Sequence, residues 1–273
     1  MCTAFVSIDP GSTTPVVVLA VRDEYIGRDW LPPDRHWPSR PALVGGRDLL
    51  AGGTWLAVHP GGDDEPSRMA CLLNGFGRAA DPALRLSRGD LPLLAAADGD
   101  ALEGLDLERY DPFHLVRAQA GEVRVLSWSG HELRERRLPP GLHVVVNDGL
   151  EGEAENRTSS LRAGRMMAAR IAHFRPRLAA ARRPEPTSSP AGRPTTEAWG
   201  QWLPVAAGDG LELDEPAALI QRRDFGDGRI WGTTSVSLVA LARSGVRYDF
   251  NPAPGSHVWH QVGLGGQART AAI

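Results

Sequence analysis

Lysine is absent from this chain of 273 residues, so all 30 basic side chains are arginine. Mechanisms that need a lysine, as a Schiff-base amine or as a general base, are therefore excluded. Charge of one sign is also missing: 33 acidic residues leave a net charge of −3, which gives no electrostatic case for nucleic acid or an anionic membrane surface. No apolar run reaches the roughly twenty residues needed to span a bilayer. The start lacks the basic and long apolar regions of a secretory signal, which predicts a cytoplasmic protein. Cysteine is scarce: Cys2 and Cys71 are the only thiols, and in a reducing compartment both are expected free. There is no Cys-x-x-Cys pair or haem-attachment motif, and Gly45-Gly46 and Gly52-Gly53 lack the Lys-Ser/Thr of a phosphate loop. The tightest histidine pair, His257 and His260, would point to opposite faces of a strand, a poor metal site. Asn156-Arg157-Thr158 reads as a glycosylation triplet that a cytoplasmic chain leaves unused. No cofactor or metal is expected.

What is present begins at the first residues. Removal of Met1, usual before a small second residue, would leave Cys2 with both a thiol and a free α-amine. An α-amine titrates near roughly 7.7–8.0 and a thiol near roughly 8.5, so the amine can serve as the thiol's own base. That is the chemistry of N-terminal nucleophile hydrolases. Residues 3–9 read as a strand, 10–14 as a turn and 15–21 as a second buried strand. The second strand runs into Arg22-Asp23-Glu24, which pairing would bring beside the chain terminus. A guanidinium there lowers a thiol's pKa, and a carboxylate can orient the amine.

The rest of the chain reads as strand-rich. Cys71, inside Met69-Ala70-Cys71-Leu72-Leu73, fits a buried strand. A helix is expected over 89–102, with Arg88-Gly89-Asp90 as turn chemistry. Segments 113–117, 123–128, 131–137 and 143–146 read as a meander of strands. Residues 161–181 have the composition of a helix, with Ser159 or Ser160 as its cap. Residues 182–197, rich in Pro, Ser, Thr and Arg, read as a disordered loop, and 230–242 with 246–250 as a final hairpin. The eight tryptophans, with no basic groove beside them, are expected in the core and its rim. One domain is expected over 1–263, followed by a polar tail over 264–273. The excess of Ala, Arg, Gly and Pro fits a GC-rich bacterial genome.

Several blocks fall in one familiar order. After Met1-Cys2 come Leu19-Ala20-Val21-Arg22-Asp23-Glu24, Gly52-Gly53-Thr54-Trp55-Leu56 and Cys71-Leu72-Leu73-Asn74. Val146-Asn147-Asp148-Gly149-Leu150 and Trp231-Gly232-Thr233-Thr234-Ser235 follow. In these the chain resembles the N-R-D-E proteins, which include the transport and Golgi organisation protein 2 family. It departs from them at Val21, where the naming motif has Asn, and over 182–199, which has no counterpart. That family in turn resembles the N-terminal-cysteine amidases of the choloylglycine hydrolase and acid ceramidase kind. The resemblance implies an α+β fold, a four-layer αββα Ntn-hydrolase-like sandwich of two antiparallel sheets flanked by helices. It also implies Cys2 as nucleophile, Arg22 and Asp23 as its electrostatic partners, and Asn74 and Asn147 as oxyanion donors. The amidases separate their Arg and Asp, whereas here the two are adjacent and on a regular strand would face opposite ways.

The expected activity is hydrolysis or acyl transfer at a carbon–nitrogen or thioester bond of a small amide or acyl compound. Nucleic acid and a membrane span are not expected, and the oligomeric state is open. The family also implies an alternative, a non-catalytic carrier of an amphipathic ligand such as haem or acyl-CoA. Cys2 and the Arg22-Asp23-Glu24 turn would then only build the fold, and His114 or His143 would contact the ligand.

Overall fold

Side-chain alternation along the first two strands decides the layering. In β1 (Thr3–Ile8), Ala4, Val6 and Ile8 face one apolar layer and Phe5 another. In β2 (Val16–Tyr25), Val16, Val18 and Ala20 share the first layer, and Val17, Leu19 and Val21 the second. A strand buried on both faces needs apolar residues at every position, which explains the unbroken run Val16-Val17-Val18-Leu19-Ala20-Val21.

A computed structural model describes residues 2–62, 65–98, 102–153, 161–188, 193–224, 226, 228–252 and 258–265. Among these, one sheet runs in the order β11 (Gly149–Leu150), β10 (Gly141–Val146), β1, β2, β13 (Ile230–Ala242), β14 (Gly245–Asn251), β15 (His260–Gln261). A short β12 (Arg222–Asp224) also pairs with β13. The other sheet is a meander of β3 (Trp30–Asp34), β4 (Val44–Asp48), β5 (Leu56–His59), β6 (Arg68–Asn74), β7 (Phe113–Gln119), β8 (Glu122–Trp128) and β9 (Leu133–Arg137). Neighbouring strands within both sheets are antiparallel.

The two sheets bury a shared core that includes Val6, Val18, Leu56, Met69, Val116 and Tyr248. Outside the first sheet lie α2 (Leu161–Ala180), α3 (Thr195–Trp199) and α4 (Trp202–Ala206), which bury Met167, Phe174, Trp199 and Trp202 against Phe5 and Leu19. Outside the second sheet, α1 (Leu91–Ala97) packs Leu91, Leu93 and Ala96 near Ala57, Ala70 and Leu115. The result is the expected α+β sandwich with four layers, αββα. No helix among the described residues is long and apolar enough to cross a membrane.

Three local readings change. The helix expected over 89–102 begins at Leu91 and is seven residues long, because Arg88–Asp90 forms a separate 3-10 turn capped by the Ser87 hydroxyl. Strands β3 and β4 carry Pro32-Pro33 and Gly45-Gly46, residues of low β propensity, and so give no strand signal. Gly46 is nevertheless required: a Cβ there would lie 2.2 Å from the Trp55 ring. The described parts of 182–197 are held to the sheet rather than loose. Arg183 donates to Ser7 Oγ at 2.8 Å and to the Pro15 carbonyl at 3.1 Å, and Glu185 accepts from Ser12 and Thr13. Polar anchors reaching distant strands leave no local periodicity, so composition alone suggests disorder. Residues 189–192, the Ser159 and Ser160 cap, Asn156-Arg157-Thr158, His257 and the tail from 266 lie outside the described residues.

Helix α3 is tied down through Asp249, a fully buried carboxylate that accepts from Trp199 Nε1 at 2.7 Å, Thr195 Oγ1 at 2.6 Å and Arg247 Nε at 2.7 Å. Asp249→Ala should cost about 3–5 kcal/mol in urea unfolding, because Arg247 is left as an uncompensated buried charge. A loss below about 1 kcal/mol would show that this cluster does not anchor the helix layer.

Candidate active site

Thr3 pairs with Val21, so Cys2, one residue before β1, falls beside Arg22. The part-buried Cys2 Sγ donates to the Asp23 carbonyl at 3.5 Å and lines a cleft of about 520 Å³ whose walls come from both sheets.

Arg22 and Asp23 do point to opposite faces, and each finds partners there. Arg22 turns into the cleft, its guanidinium 4.4 Å over the Trp55 ring. It donates to Thr234 Oγ1 at 2.8 Å and Asp48 Oδ2 at 3.2 Å, with Glu24 at 3.9 Å. The Asp23 carboxylate turns towards the helices. It accepts from Gln221 Nε2 at 2.5 Å, Thr233 Oγ1 at 2.6 Å and Arg170 Nη1 at 3.0 Å. Thr233 and Thr234, consecutive residues of β13 at a bulge, serve the two sides of β2, Thr233 facing Asp23 and Thr234 facing Arg22.

Burial alone would raise the Asp23 carboxyl, but the positive chain terminus, Arg170 and Thr233 outweigh it and hold the group below the usual carboxylate range. The thiol behaves otherwise than expected. Burial pushes Cys2 above the ordinary thiol range, and the positive terminus and Arg22 offset this only in part while the Asp23 charge adds to it. Cys71, in the core between the sheets, is also pushed up by burial.

The Gly-Gly-Thr-Trp-Leu block builds the cleft wall. Gly52 takes a positive φ of 76°, and a Cβ on Gly53 would lie 2.4 Å from the Gly89 carbonyl carbon. That close approach brings the Arg88 turn to the cleft, while Trp55 supports Arg22.

The two expected oxyanion donors separate. Asn74, at the end of β6, lines the cleft and is exposed to it. Asn147 is buried, does not line the cleft, and donates through Nδ2 to the Asn74 carbonyl at 2.6 Å. It follows the end of β10 in the other sheet, so its side chain spans the gap between sheets and fixes the Asn74 backbone. Both histidines considered for a ligand make hydrogen bonds within the chain. His114 uses Nδ1 on Ser127 Oγ at 2.8 Å and Nε2 on the Asn147 carbonyl at 3.2 Å. His143 uses Nε2 on the Pro139 carbonyl at 2.8 Å, and neither lines the cleft. No cluster of His, Cys, Asp or Glu among the described residues could hold a metal ion.

Asp48, Arg88, Arg170 and Gln221 were not anticipated from the sequence. Arg170 is one of several arginines on α2 and carries no local signal, whereas Thr233 and Thr234 stand inside a recognised block.

Two antiparallel sheets between helix layers, with Cys2 at the head of an internal strand and in a cleft with Arg22, define an αββα sandwich protein. Residues 1–173 match the family model of Transport and Golgi organisation 2, and the chain belongs to that family. A solved structure, penicillin V acylase from Agrobacterium tumefaciens, is similar at 13% identity over 92% of this chain and 83% of its own, with a TM-score of 0.47. A search of curated proteins gives no match.

His114 supplies a pH test of the Asn147 bridge. Burial lowers its pKa to about 4, below the roughly 6.5 of an unfolded chain. Between these values the unfolded state binds the proton and the folded state does not, so stability is full above pH 6.5 and falls towards pH 4. The loss should approach about 3 kcal/mol, at about 1.4 kcal/mol per pH unit. Urea titrations of His114→Gln across this window should lack the slope, and an unchanged slope would assign it to another group.

Proposed function

We propose that the chain is an N-terminal-nucleophile acyl hydrolase in which Cys2, freed by removal of Met1, attacks a carbon–nitrogen or thioester bond of a small acyl compound. The observation that carries this reading is the position of Cys2, at the head of a strand flanked by β2 and β10, in the cleft with Arg22 and next to Asp23. Such a position preorganises a nucleophile.

Because burial keeps the resting thiol protonated, the proton leaves as the substrate arrives. The Cys2 amine, oriented by the Asp23 carboxylate, takes it while Sγ bonds to the acyl carbon. Charge developing on the carbonyl oxygen is met by the Asn74 amide and the field of Arg22. The carbon–nitrogen bond breaks, and the leaving amine accepts the proton held by the α-ammonium. Water, deprotonated by the same amine, then attacks the thioester, releasing the carboxylic acid and restoring the thiol. Asn147 acts through Asn74 as a positioning residue. Haem or acyl-CoA carriage has less support, because His114 and His143 are already engaged and the cleft walls are heavily charged.

Intact mass should show the mature chain starting at Cys2; Met1 fully retained in active protein would end the free-amine mechanism. Iodoacetamide should modify Cys2 faster than Cys71, and Arg22→Ala should slow it. Cys2→Ser should abolish acyl transfer with the fold retained, and Asn74→Ala should lower turnover by about 10²–10³. Cellular activity and ligand affinity surviving Cys2→Ala would instead favour the carrier.

A further inference from the structure

Arg22, Arg28, Arg85 and Arg88 stand in the cleft wall, and three of them already face carboxylates. Arg22 is held by Asp48 and Thr234. Arg28 grips Asp48 with two nitrogens at 2.6 and 3.1 Å. Arg85 pairs with Asp111 at 3.2 Å. Arg88 is different. Its half-buried side chain makes one hydrogen bond among the described residues, from Nη1 to the Pro112 carbonyl at 2.6 Å. No carboxylate among the described residues forms an ion pair with it; Asp111 acts on it from further off and is taken by Arg85.

A guanidinium taken partly out of water without a charged partner is costly, and burial accordingly lowers the pKa of Arg88. The position is built rather than incidental. The Arg88 turn is capped by Ser87 Oγ accepting from Gly89 N at 3.1 Å, and the Gly53–Gly89 contact admits no side chain. Arg88 is also close enough to Cys2 for a thiolate charge there to act on it.

We infer that Arg88 receives an anionic oxygen group, a carboxylate or a phosphate, carried by the acyl substrate near the bond that Cys2 attacks. The substrate class is then an acyl compound with an anionic arm, such as an N-acyl amino acid, rather than a neutral amide. A planar guanidinium fork suits either anion, and a neutral analogue leaves Arg88 unpaired, which is the stronger basis for rejection. This inference rests on the hydrolase reading for the identity of the reacting bond, but the anion site itself does not need turnover.

The test uses the Cys2→Ala chain, which cannot turn over, with N-octanoylglycine, N-octanoyl-aminomethylphosphonate and the neutral N-octanoylglycinamide as calorimetric probes. At least one anion should bind about 10- to 100-fold more tightly than the amide, as expected for a charge-assisted hydrogen-bond pair. Which of the two does so identifies carboxylate or phosphate. Arg88→Gln should erase the preference while leaving affinity for the amide unchanged, and Arg88→Lys should keep part of it, which separates lost charge from lost fold. Equal affinities, no measurable binding of either anion, or a preference that survives Arg88→Gln would overturn the inference. If Cys2 of the intact chain proves unreactive while the preference still follows Arg88, the hydrolase reading falls and the anion site stands.

Discussion

A carboxylate buried as deeply as Asp23 persists only if its oxygens are satisfied, and its partners come from three separate parts of the chain. Thr233 belongs to β13, Gln221 to the segment before β12, and Arg170 to α2. Arg170 in turn donates to Thr3 Oγ1 at 2.9 Å and to the Ala218 carbonyl at 2.7 Å. One buried ion pair therefore joins the helix layer, the two central strands and the first residue of β1. Removing either charge would take a buried ion-pair partner from the other, so the pair is a constraint on the whole arrangement more than a source of net stability. What it constrains is the residue next to Thr3, which is Cys2.

The adjacency of Arg22 and Asp23 becomes intelligible from the same geometry. Two charges side by side on a strand cannot share a site, but they can serve two faces of one sheet. Arg22 enters the cleft with the inward register of Val16, Val18 and Ala20, and Asp23 enters the helix layer with that of Val17, Leu19 and Val21. A one-residue slip of β2 would exchange them, sending the carboxylate to the cleft and the guanidinium into the apolar helix contact. The apolar run before them is buried on both faces and would tolerate either register, so the separate partners of Arg22 and Asp23 hold the register on which the site depends. Val21, where the naming motif has Asn, is part of that apolar helix-side layer.

This division also explains what could be read from the sequence. Strands β1, β2 and β13 are buried on both faces, and their apolar stretches over 4–6, 16–21 and 238–242 announce them. Helix α2 shows in its composition, with Met167, Phe174 and Leu178 on the buried side. Strands β3 and β4 stay hidden because Pro32, Pro33, Gly45 and Gly46 have low β propensity, Gly46 standing where Trp55 leaves no room for a side chain. Of the site, Cys2, Arg22, Asp23 and Asn74 could be named because they stand in ordered blocks. Their supports could not: Arg170 lies 147 residues from Asp23 and Gln221 lies 198 away, and nothing local to either marks a partner. Asn147 shows the limit from the other side. Its block is recognisable, yet whether an amide faces a cleft or braces a neighbouring strand depends on the gap between two sheets, which no local pattern records.

The protonated resting state of Cys2 gives the proposed chemistry its particular form. Arg22 is near enough to favour a thiolate, but burial is the larger effect, so proximity of a cation does not by itself define a reactive thiol. An internal strand places the sulfur accurately and also strips it of water, and these two consequences oppose each other in the pKa. The α-amine resolves the conflict if it takes the proton during attack, because no thiolate then has to exist before the substrate arrives. Thiols oxidise in proportion to their thiolate character and exposure, so the same burial makes Cys2 less prone to oxidation. A terminal cysteine with its own base can thus occupy a position where a cysteine relying on a neighbouring cation alone would remain inert.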